Sequence, residues 1–250
     1  MFNVLPMGLS SSPRIFTKLI KPPLTHLRQK NYTITGYIDD VFVPGNSYEE
    51  CLETLRRAIL LFLKLGFTLH AEKSVLVPSQ SLIFLGFRVD SVAMTVSLTQ
   101  EKKAKLKLLC LEALGKGNLV IRFVAQVIGK IVPSLPGVEF GRLYYRHLER
   151  DKIQALRRSP GDYDSLMHLS EAAKYELNWW LDVDSHLCRR IKYAPCSLVF
   201  QTDASDSGWG VRSVSDGALQ SQGVGSRDQR TIHITVSELY VVYICLTTFC

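Results

Sequence analysis

Asp39 and Asp40 stand side by side between Tyr37-Ile38 and the apolar run Val41-Phe42-Val43. Adjacent carboxylates repel one another, so the apex of a tight turn tolerates them chiefly where a cation shares them. Phosphoryl transfer needs such a place, because two Mg²⁺ ions roughly 3.5–4 Å apart hold the attacking and leaving oxygens. The plainer alternative is a polar turn, since Asp is common where a chain reverses. The elements that hold the pair, and the motifs around it, decide between the two.

Residues 32–37 are rich in aromatic and β-branched side chains, and Val41-Phe42-Val43 ends at Pro44-Gly45, so two short strands around the acidic pair predict a β-hairpin. Upstream, Ser12 as N-cap and Pro13 at the first helical position predict a helix carrying Ile15, Phe16, Leu19 and Ile20, kinked or broken at Pro22-Pro23. Downstream, Ser47-Tyr48-Glu49-Glu50 fits a capping box, and Cys51, Leu52, Leu55, Ile59, Phe62 and Leu63 keep helical spacing up to Gly66. Strands are expected over residues 74–77 and 82–89. Helices then follow over residues 99–114, 119–132 (ending at Pro133) and 169–181, with a basic stretch over 142–158. Ala194-Pro195 reads as a boundary, followed by strands over 197–202, 208–214 and 232–234 and an apolar helix over 236–249.

Of the residues, 46% are hydrophobic and 21% charged, which excludes disordered and fibrous classes. No run of eighteen uncharged apolar residues is present, and the start lacks a basic-then-apolar leader, so neither a membrane span nor secretion is expected. The six cysteines are scattered without zinc spacing and read as reduced thiols of an intracellular protein, cytoplasmic or nuclear. A net charge of +7 and a pI near 9.1 favour an anionic partner. The charge is concentrated: Lys102, Lys103, Lys105 and Lys107 open the 99–114 helix, and residues 141–158 hold six Lys or Arg against Glu149 and Asp151. Such a face binds phosphates without reading sequence, with a merely solvated basic face as the alternative.

Four motifs, in order, resemble the palm of reverse transcriptases. Leu5-Pro6-Met7-Gly8-Leu9-Ser10-Ser11-Ser12-Pro13 is similar to their L-P-x-G-L-S-S-x-P motif, which opens a helix beside nucleotide and template. Tyr37-Ile38-Asp39-Asp40 matches their Y-x-D-D hairpin; Gly66-Phe67-Thr68-Leu69 with Glu72-Lys73-Ser74 and Phe84-Leu85-Gly86-Phe87 resemble the next two. Each motif alone is weak, whereas four in sequence are specific. The resemblance implies Asp39 and Asp40 as catalytic metal ligands for Mg²⁺ or Mn²⁺, Lys73 beside the leaving pyrophosphate, and Pro6, Gly8 and Tyr37 at nucleotide and template. It implies Phe84, Leu85 and Gly86 at the primer end, and a thumb whose Lys103, Lys107, Arg146 and Arg150 track the backbone. Singly, Gly8 reads as a turn glycine, Lys73 as a solvated lysine, and Phe84 and Phe87 as strand core.

Further on, Gln201-Thr202-Asp203-Ala204-Ser205 with Gly208-Trp209-Gly210 resembles the first strand and turn of RNase H domains, and Ser237-Glu238-Leu239 the segment that carries their second carboxylate. Asp203 and Glu238 are thereby implied as half of a second two-metal site; taken singly, Glu238 reads as a helix-surface residue and His233 as structural. With Trp179-Trp180 the layout is most similar to tyrosine-recombinase (DIRS-type) retrotransposons, then gypsy-like elements.

The expected fold class is α+β: a partial palm with its β-hairpin over 1–96, a helical thumb and connection over 97–194, and a partial RNase H-like α/β domain over 195–250. The implied partners are RNA template, DNA primer, RNA–DNA hybrid and, in an intact enzyme, deoxynucleoside triphosphates. The fingers, the first palm Asp and the later RNase H carboxylates of the family have no counterpart in these residues, so the chain alone is expected to be inactive or nearly so. Two other readings stay open: a non-enzymatic nucleic-acid-binding remnant, and a structural protein that kept the fold.

Overall fold

A computed structural model of the chain describes residues 5–6, 8–182, 188–191, 195–214, 219–224 and 233–249, and the chain divides into two units, Met1–Lys192 and Tyr193–Cys250. The first unit opens with α1 (Ser12–Gln29), whose N-cap is Ser11, one residue before the expected Ser12. The Ser12 hydroxyl instead donates to the Pro6 carbonyl (2.9 Å), which ties the preceding segment to the helix start. Pro22 and Pro23 do not break α1. Each interior proline costs about 3 kcal/mol by removing an N–H and crowding the preceding turn. Ile20, Leu24 and Leu27 are buried on either side of them, at ~1.5–3 kcal/mol each, so the packed face carries the helix through.

Next come β1 (Thr35–Tyr37) and β2 (Asp40–Phe42), an antiparallel pair with Tyr37 opposite Asp40. The helix α2 (Tyr48–Lys64) starts at Ser47, whose hydroxyl accepts from the Glu50 N–H (3.1 Å). The Glu50 carboxylate accepts from the Asn46 N–H (3.0 Å) and not from that of Ser47, so the expected box is closed one residue early. At the other end Gly66 has φ +83°, and the Phe67 N–H reaches the Phe62 carbonyl (3.0 Å) in a left-handed cap. Faces of α1 and α2 pack on Ile34 around Ala58 and Phe62.

The strand expected over residues 74–77 is absent. Val75 and Val77 are 60% and 65% exposed, and with no core to face and no strand to pair with they stay in a loop after a 3₁₀ turn at Ala71–Lys73. The single strand expected over 82–89 is folded into two, β3 (Ser81–Phe84) and β4 (Phe87–Asp90), reversing at Leu85 and Gly86 with φ of +52° and +74°. Two left-handed central residues make the turn that matches strand twist. The Asp90 carboxylate accepts from the Val92 and Ala93 N–H groups (3.0 and 2.8 Å) and turns the chain into β5 (Thr95–Leu98).

A helical block follows. Thr99 caps α3 (Gln100–Gly115), β6 (Leu119–Val120) leads into α4 (Ile121–Ile131), and the chain passes Pro133 in a 3₁₀ turn at Val132–Gly137. Then α5 (Arg146–Arg158), β7 (Leu166–Met167), paired with β6, and α6 (Glu171–Leu181) complete the block. Last, β8 (Cys188–Arg190) joins β5, so the sheet runs β3-β4-β5-β8. Leu106, Ile121, Val124, Val127, Ile131, Leu148, Leu177 and Trp180 form the centre of the core. The buried carboxylate of Glu176 accepts from the His147 and Leu148 N–H groups (3.0 Å each) and lies 2.8 Å from His147 Nδ1, so a residue of α6 satisfies the first turn of α5.

In the second unit, β9 (Phe200–Ala204), β10 (Gly208–Ser213) and β11 (Gln220–Val224) form an antiparallel sheet in the order β11-β10-β9, and α7 (Ile234–Phe249) packs on β9. The third strand is thus Gln220–Val224 and not residues 232–234: Ile234 begins α7, and Ile232 lies outside the described residues, as does Ala194 of the expected boundary. Gln220-Ser221-Gln222-Gly223 has no apolar alternation to announce a strand. Ala204, Val211, Val241 and Cys245 are its buried centre. No helix among the described residues is long and apolar enough to cross a membrane.

Candidate functional site

The acidic pair sits on a hairpin with a loop of two residues, Ile38 and Asp39, while Asp40 begins β2 opposite Tyr37. Ile38 has φ +54°, an uncommon conformation for a β-branched side chain and one that stores strain. Asp39 and Asp40 are both exposed, and among the described residues no lysine or arginine pairs with either. Tyr37, 58% exposed, precedes them. The hairpin rests on α1: the Arg28 Nε donates to the Ile34 carbonyl (2.8 Å), and a Cβ on Gly36 would lie 2.8 Å from Leu24 Cδ1. A side chain at 36 would require the Leu24 side chain to shift.

A second hairpin adjoins it. The Phe42 ring, on β2, lies 5.1 Å from the Phe84 ring, on β3, and so joins the acidic hairpin to the Leu85–Gly86 turn. Phe84 is half-buried in this contact, which fits its strand-core reading, while the Leu85 side chain remains 39% exposed at the tip. The structure therefore brings Asp39, Asp40, Phe84, Leu85 and Gly86 into one neighbourhood. Lys73 is exposed on its 3₁₀ turn, and among the described residues no ion pair or hydrogen bond joins it to the acidic turn. Pro6 is half-buried through the Ser12 bond, and Gly8 has φ +86° with open space around it.

Carboxylates are suitable donors for Mg²⁺ or Mn²⁺, but a Mg²⁺ ion takes six oxygens, and no cluster of three or more His, Cys, Asp or Glu able to hold a metal is found among the described residues. Asp39 and Asp40 would supply two carboxylates to such an ion, and its other oxygens would have to come from elsewhere. In the second unit the two acids are set apart. Residues alternate along β9, with Phe200 and Ala204 packed in the cluster under α7, so Asp203 points to the other face, where it is exposed. Glu238 lies three and seven residues before Val241 and Cys245, on the sheet-facing stripe of α7, and is half-buried. His233 Nδ1 accepts from the Thr235 N–H (3.3 Å), a structural task at the helix start.

The basic surface is more engaged than its composition implies. On α3, Lys105 pairs with Glu101 (2.6 Å), a contact that pulls the Glu101 carboxyl below its ordinary range, and Lys103 and Lys107 are half-buried. On α5, Arg146 is exposed, 3.4 Å from Glu149 and over the Tyr145 ring at 4.7 Å, and Arg150 is exposed. Surface pairs of this kind are worth at most about 1 kcal/mol and exchange readily for phosphate. The residue that composition did not single out is Lys102. Its ammonium donates to the Leu85 carbonyl (2.9 Å) and lies over the Phe87 ring at 4.1 Å. Burial, then Lys130, lowers its pKa. In the sequence it is one lysine of four on the same two helical turns, with nothing to mark it.

Residues 1–89 match the family described as "Reverse transcriptase (RNA-dependent DNA polymerase)". The chain is 31% identical over 85 residues to the Gag-Pol polyprotein of koala retrovirus, covering 33% of this chain and 5% of that protein. It is 23% identical over 95 residues to that of avian reticuloendotheliosis virus, covering 37% and 8%. It thus spans a small part of the polyproteins it matches. Among solved structures, a foamy viral protease-reverse transcriptase, in a dRH form with double-stranded DNA, superposes with a TM-score of 0.58 at 17% identity over 97% of this chain and 40% of that one. The same viral protein with RNA/DNA hybrid gives 0.57 at 17% identity, over 97% and 31%. These likenesses show a shared fold. Over residues 1–89 the chain carries a reverse transcriptase domain of retroviral or retrotransposon type.

Proposed function

We propose that the chain is a segment of an RNA-directed DNA polymerase of a retrotransposon, most similar to the tyrosine-recombinase elements, followed by the front of an RNase H-like domain. The observation that carries this reading is the join between the two hairpins. An exposed acidic turn and the Leu85–Gly86 tip, at the spacing of two polymerase motifs, are held together by Phe42 and Phe84 inside the family-matched residues. Asp39 and Asp40 would hold the divalent ions, and Mg²⁺, when bound, supplies the charge that steadies attacking and leaving oxygens. Tyr37 and Gly8 would face template and nucleotide, Leu85 the primer end, and Lys73 would offer its charge to pyrophosphate on a site completed by further residues. With two carboxylates at the hairpin, the segment by itself is inactive or nearly so. Strand–strand–strand–helix order and the motif around Asp203 support the RNase H reading, though Asp203 and Glu238 lie on separate faces.

RNA–DNA hybrid is the proposed partner of α3 and α5, as a foamy viral relative of the same fold holds one. The test is a titration of labelled hybrid at several salt concentrations, with charge reversal at Lys103, Lys107, Arg146 and Arg150 beside the wild type. If three or four of these reach phosphate, log affinity falls against log salt with a slope of very roughly −3 to −4, flattened in the variant and independent of sequence. No binding at low salt by the folded chain would remove the nucleic-acid reading. A second arm fuses the fingers and first palm strand of a reverse transcriptase in front: Asp39→Asn should then abolish nucleotide addition and Asp203→Asn spare it. Hybrid binding with no addition by the fused wild type would favour the non-enzymatic remnant.

A further inference from the structure

Lys105, on the same helix, spends its ammonium on an exposed pair with Glu101; Lys102 does not. Its half-buried side chain crosses to another element, donates to the Leu85 carbonyl at 2.9 Å and covers the Phe87 ring at 4.1 Å. The stem fills the space beside Gly86, since a Cβ there would collide with Lys102 Cε and lie 2.7 Å from Nζ. Glycine at 86 therefore serves twice: it accepts φ +74° and it leaves room for the lysine. Leu85, a non-glycine at φ +52°, is held in a conformation it would otherwise leave, because its carbonyl is fixed by a cation. Across the same hairpin, Phe84 meets Phe42. The tip is thus clamped from one side by α3 and from the other by the strand that starts at Asp40.

We infer that Lys102 is a positioning residue, which locks the Leu85–Gly86 tip from α3 so that a primer terminus laid on that tip is presented to Asp39 and Asp40 at a fixed place. The inference rests on the polymerase reading. It makes the first turn of α3 part of the site's geometry and not only a phosphate track, because a helix that shifts on duplex must carry the tip with it. Lys102 touches no reacting atom itself.

The experiment uses the full chain as wild type, Lys102→Met, the charge-matched Lys105→Met, Gly86→Ala, and the Lys102→Met/Gly86→Ala double variant. Hydrogen exchange of the free protein reads the lock. Lys102→Met should raise exchange at Phe84, Leu85, Gly86 and Phe87 roughly tenfold, as loss of one charge-assisted hydrogen bond does, and leave α4 unchanged. Fluorescence of 2-aminopurine, at the primer 3′ end or at an internal position of a DNA primer on an RNA template, reads the positioning. Lys102→Met should lose most of the terminal response and none of the internal one, with hybrid affinity lowered no more than in Lys105→Met. Gly86→Ala, which displaces the lysine without removing its charge, should reproduce the loss, and the double variant should be no worse than either. Unchanged exchange at the tip in Lys102→Met would show that no lock exists. A lock that opens with the terminal response intact would reduce Lys102 to a structural contact and overturn the inference while leaving the polymerase reading in place. Absence of hybrid binding by the wild type would overturn both.

Discussion

Among the described residues, seventeen buried apolar side chains between Leu98 and Trp180 form one cluster, and several of them have no exposed surface at all; the region carrying the acidic turn is held by six, Ile20, Leu24, Leu27, Ile34, Ala58 and Phe62. Around the smaller cluster, Leu19, Leu60, Leu63 and Leu65 remain more than half exposed, and an apolar cleft of about 620 Å³ opens between α1 and α2. The hairpin tips of this region also hold Ile38 and Leu85 at positive φ. Rigidity and chemistry are therefore divided. The helical block supplies the free energy, and the hairpins, thinly packed and locally strained, present the charged and ring-bearing groups.

Trp180→Ala and Phe62→Ala put the comparison under the heaviest load. Trp180 is fully buried, its Nε1 donates to the Tyr144 carbonyl (2.5 Å), and Trp179 packs on it edge-to-face. Deleting it leaves a large cavity and an orphaned carbonyl, an expected loss of about 3–5 kcal/mol or more. Phe62, 5% exposed beside an open cleft, has neighbours free to settle inward, and its loss should cost about 2–3 kcal/mol less than that of Trp180. Urea unfolding followed by far-ultraviolet dichroism measures both. Equal costs would mean that the two cores are equally well packed.

What could be read from residues alone follows the same division. Apolar spacing announced α2, helices were expected close to where α3, α4 and α6 lie, and the capping residue Ser47 placed one helix start, because those signals are local. The continuity of α1 through Pro22-Pro23 was hidden, since it depends on what the flanking leucines bury against. The turn at Leu85–Gly86 was visible only as a motif; its lock by Lys102 joins positions 17 apart and has no periodicity to betray it. Glu176 has no mark in the sequence, and it caps another helix, 28 and 29 residues away. The acidic pair itself was the clearest signal of all, whereas the opposed faces of Asp203 and Glu238 depend on which side of β9 the last helix packs.

Cys110 offers a finer probe of the helical block. It is fully buried on α3, and burial pushes its thiol from 9.0 up to about 12. A thiol that is harder to deprotonate when folded stabilises the fold below pH 9 and loses that contribution as pH rises from about 9 to about 12, since the unfolded chain releases the proton first. Between pH 8 and 10 the loss from this group is about 1.4 kcal/mol. In Cys110→Ala the alkaline slope of stability should flatten by about that amount, whatever the cost of the small cavity. Parallel slopes in the two proteins would mean that water reaches the thiol.

The smallest effect on stability is expected where the effect on binding is greatest. Asp39 and Asp40 are exposed, make no ion pair among the described residues, and sit on a strained turn beside like charge. Asp39→Asn and the double Asn change should therefore alter unfolding free energy by less than about 0.5 kcal/mol, as surface changes away from packed features do. Any shift should be towards stability, because carboxylate repulsion is relieved. Divalent binding should respond in the opposite sense. Two carboxylates with water completing the shell predict millimolar-range Mn²⁺ or Mg²⁺ affinity in the wild type, weakened in Asp39→Asn and absent in the double variant. Calorimetric titration with Mn²⁺, run beside urea unfolding of the same samples, separates the two quantities. If the double variant binds Mn²⁺ as the wild type does, the ion sits elsewhere and the turn is a polar reversal without a metal. If instead it unfolds far more readily, Asp39 and Asp40 are part of the packing, and the division between a stabilising block and a chemical hairpin fails at the place where it was drawn most sharply.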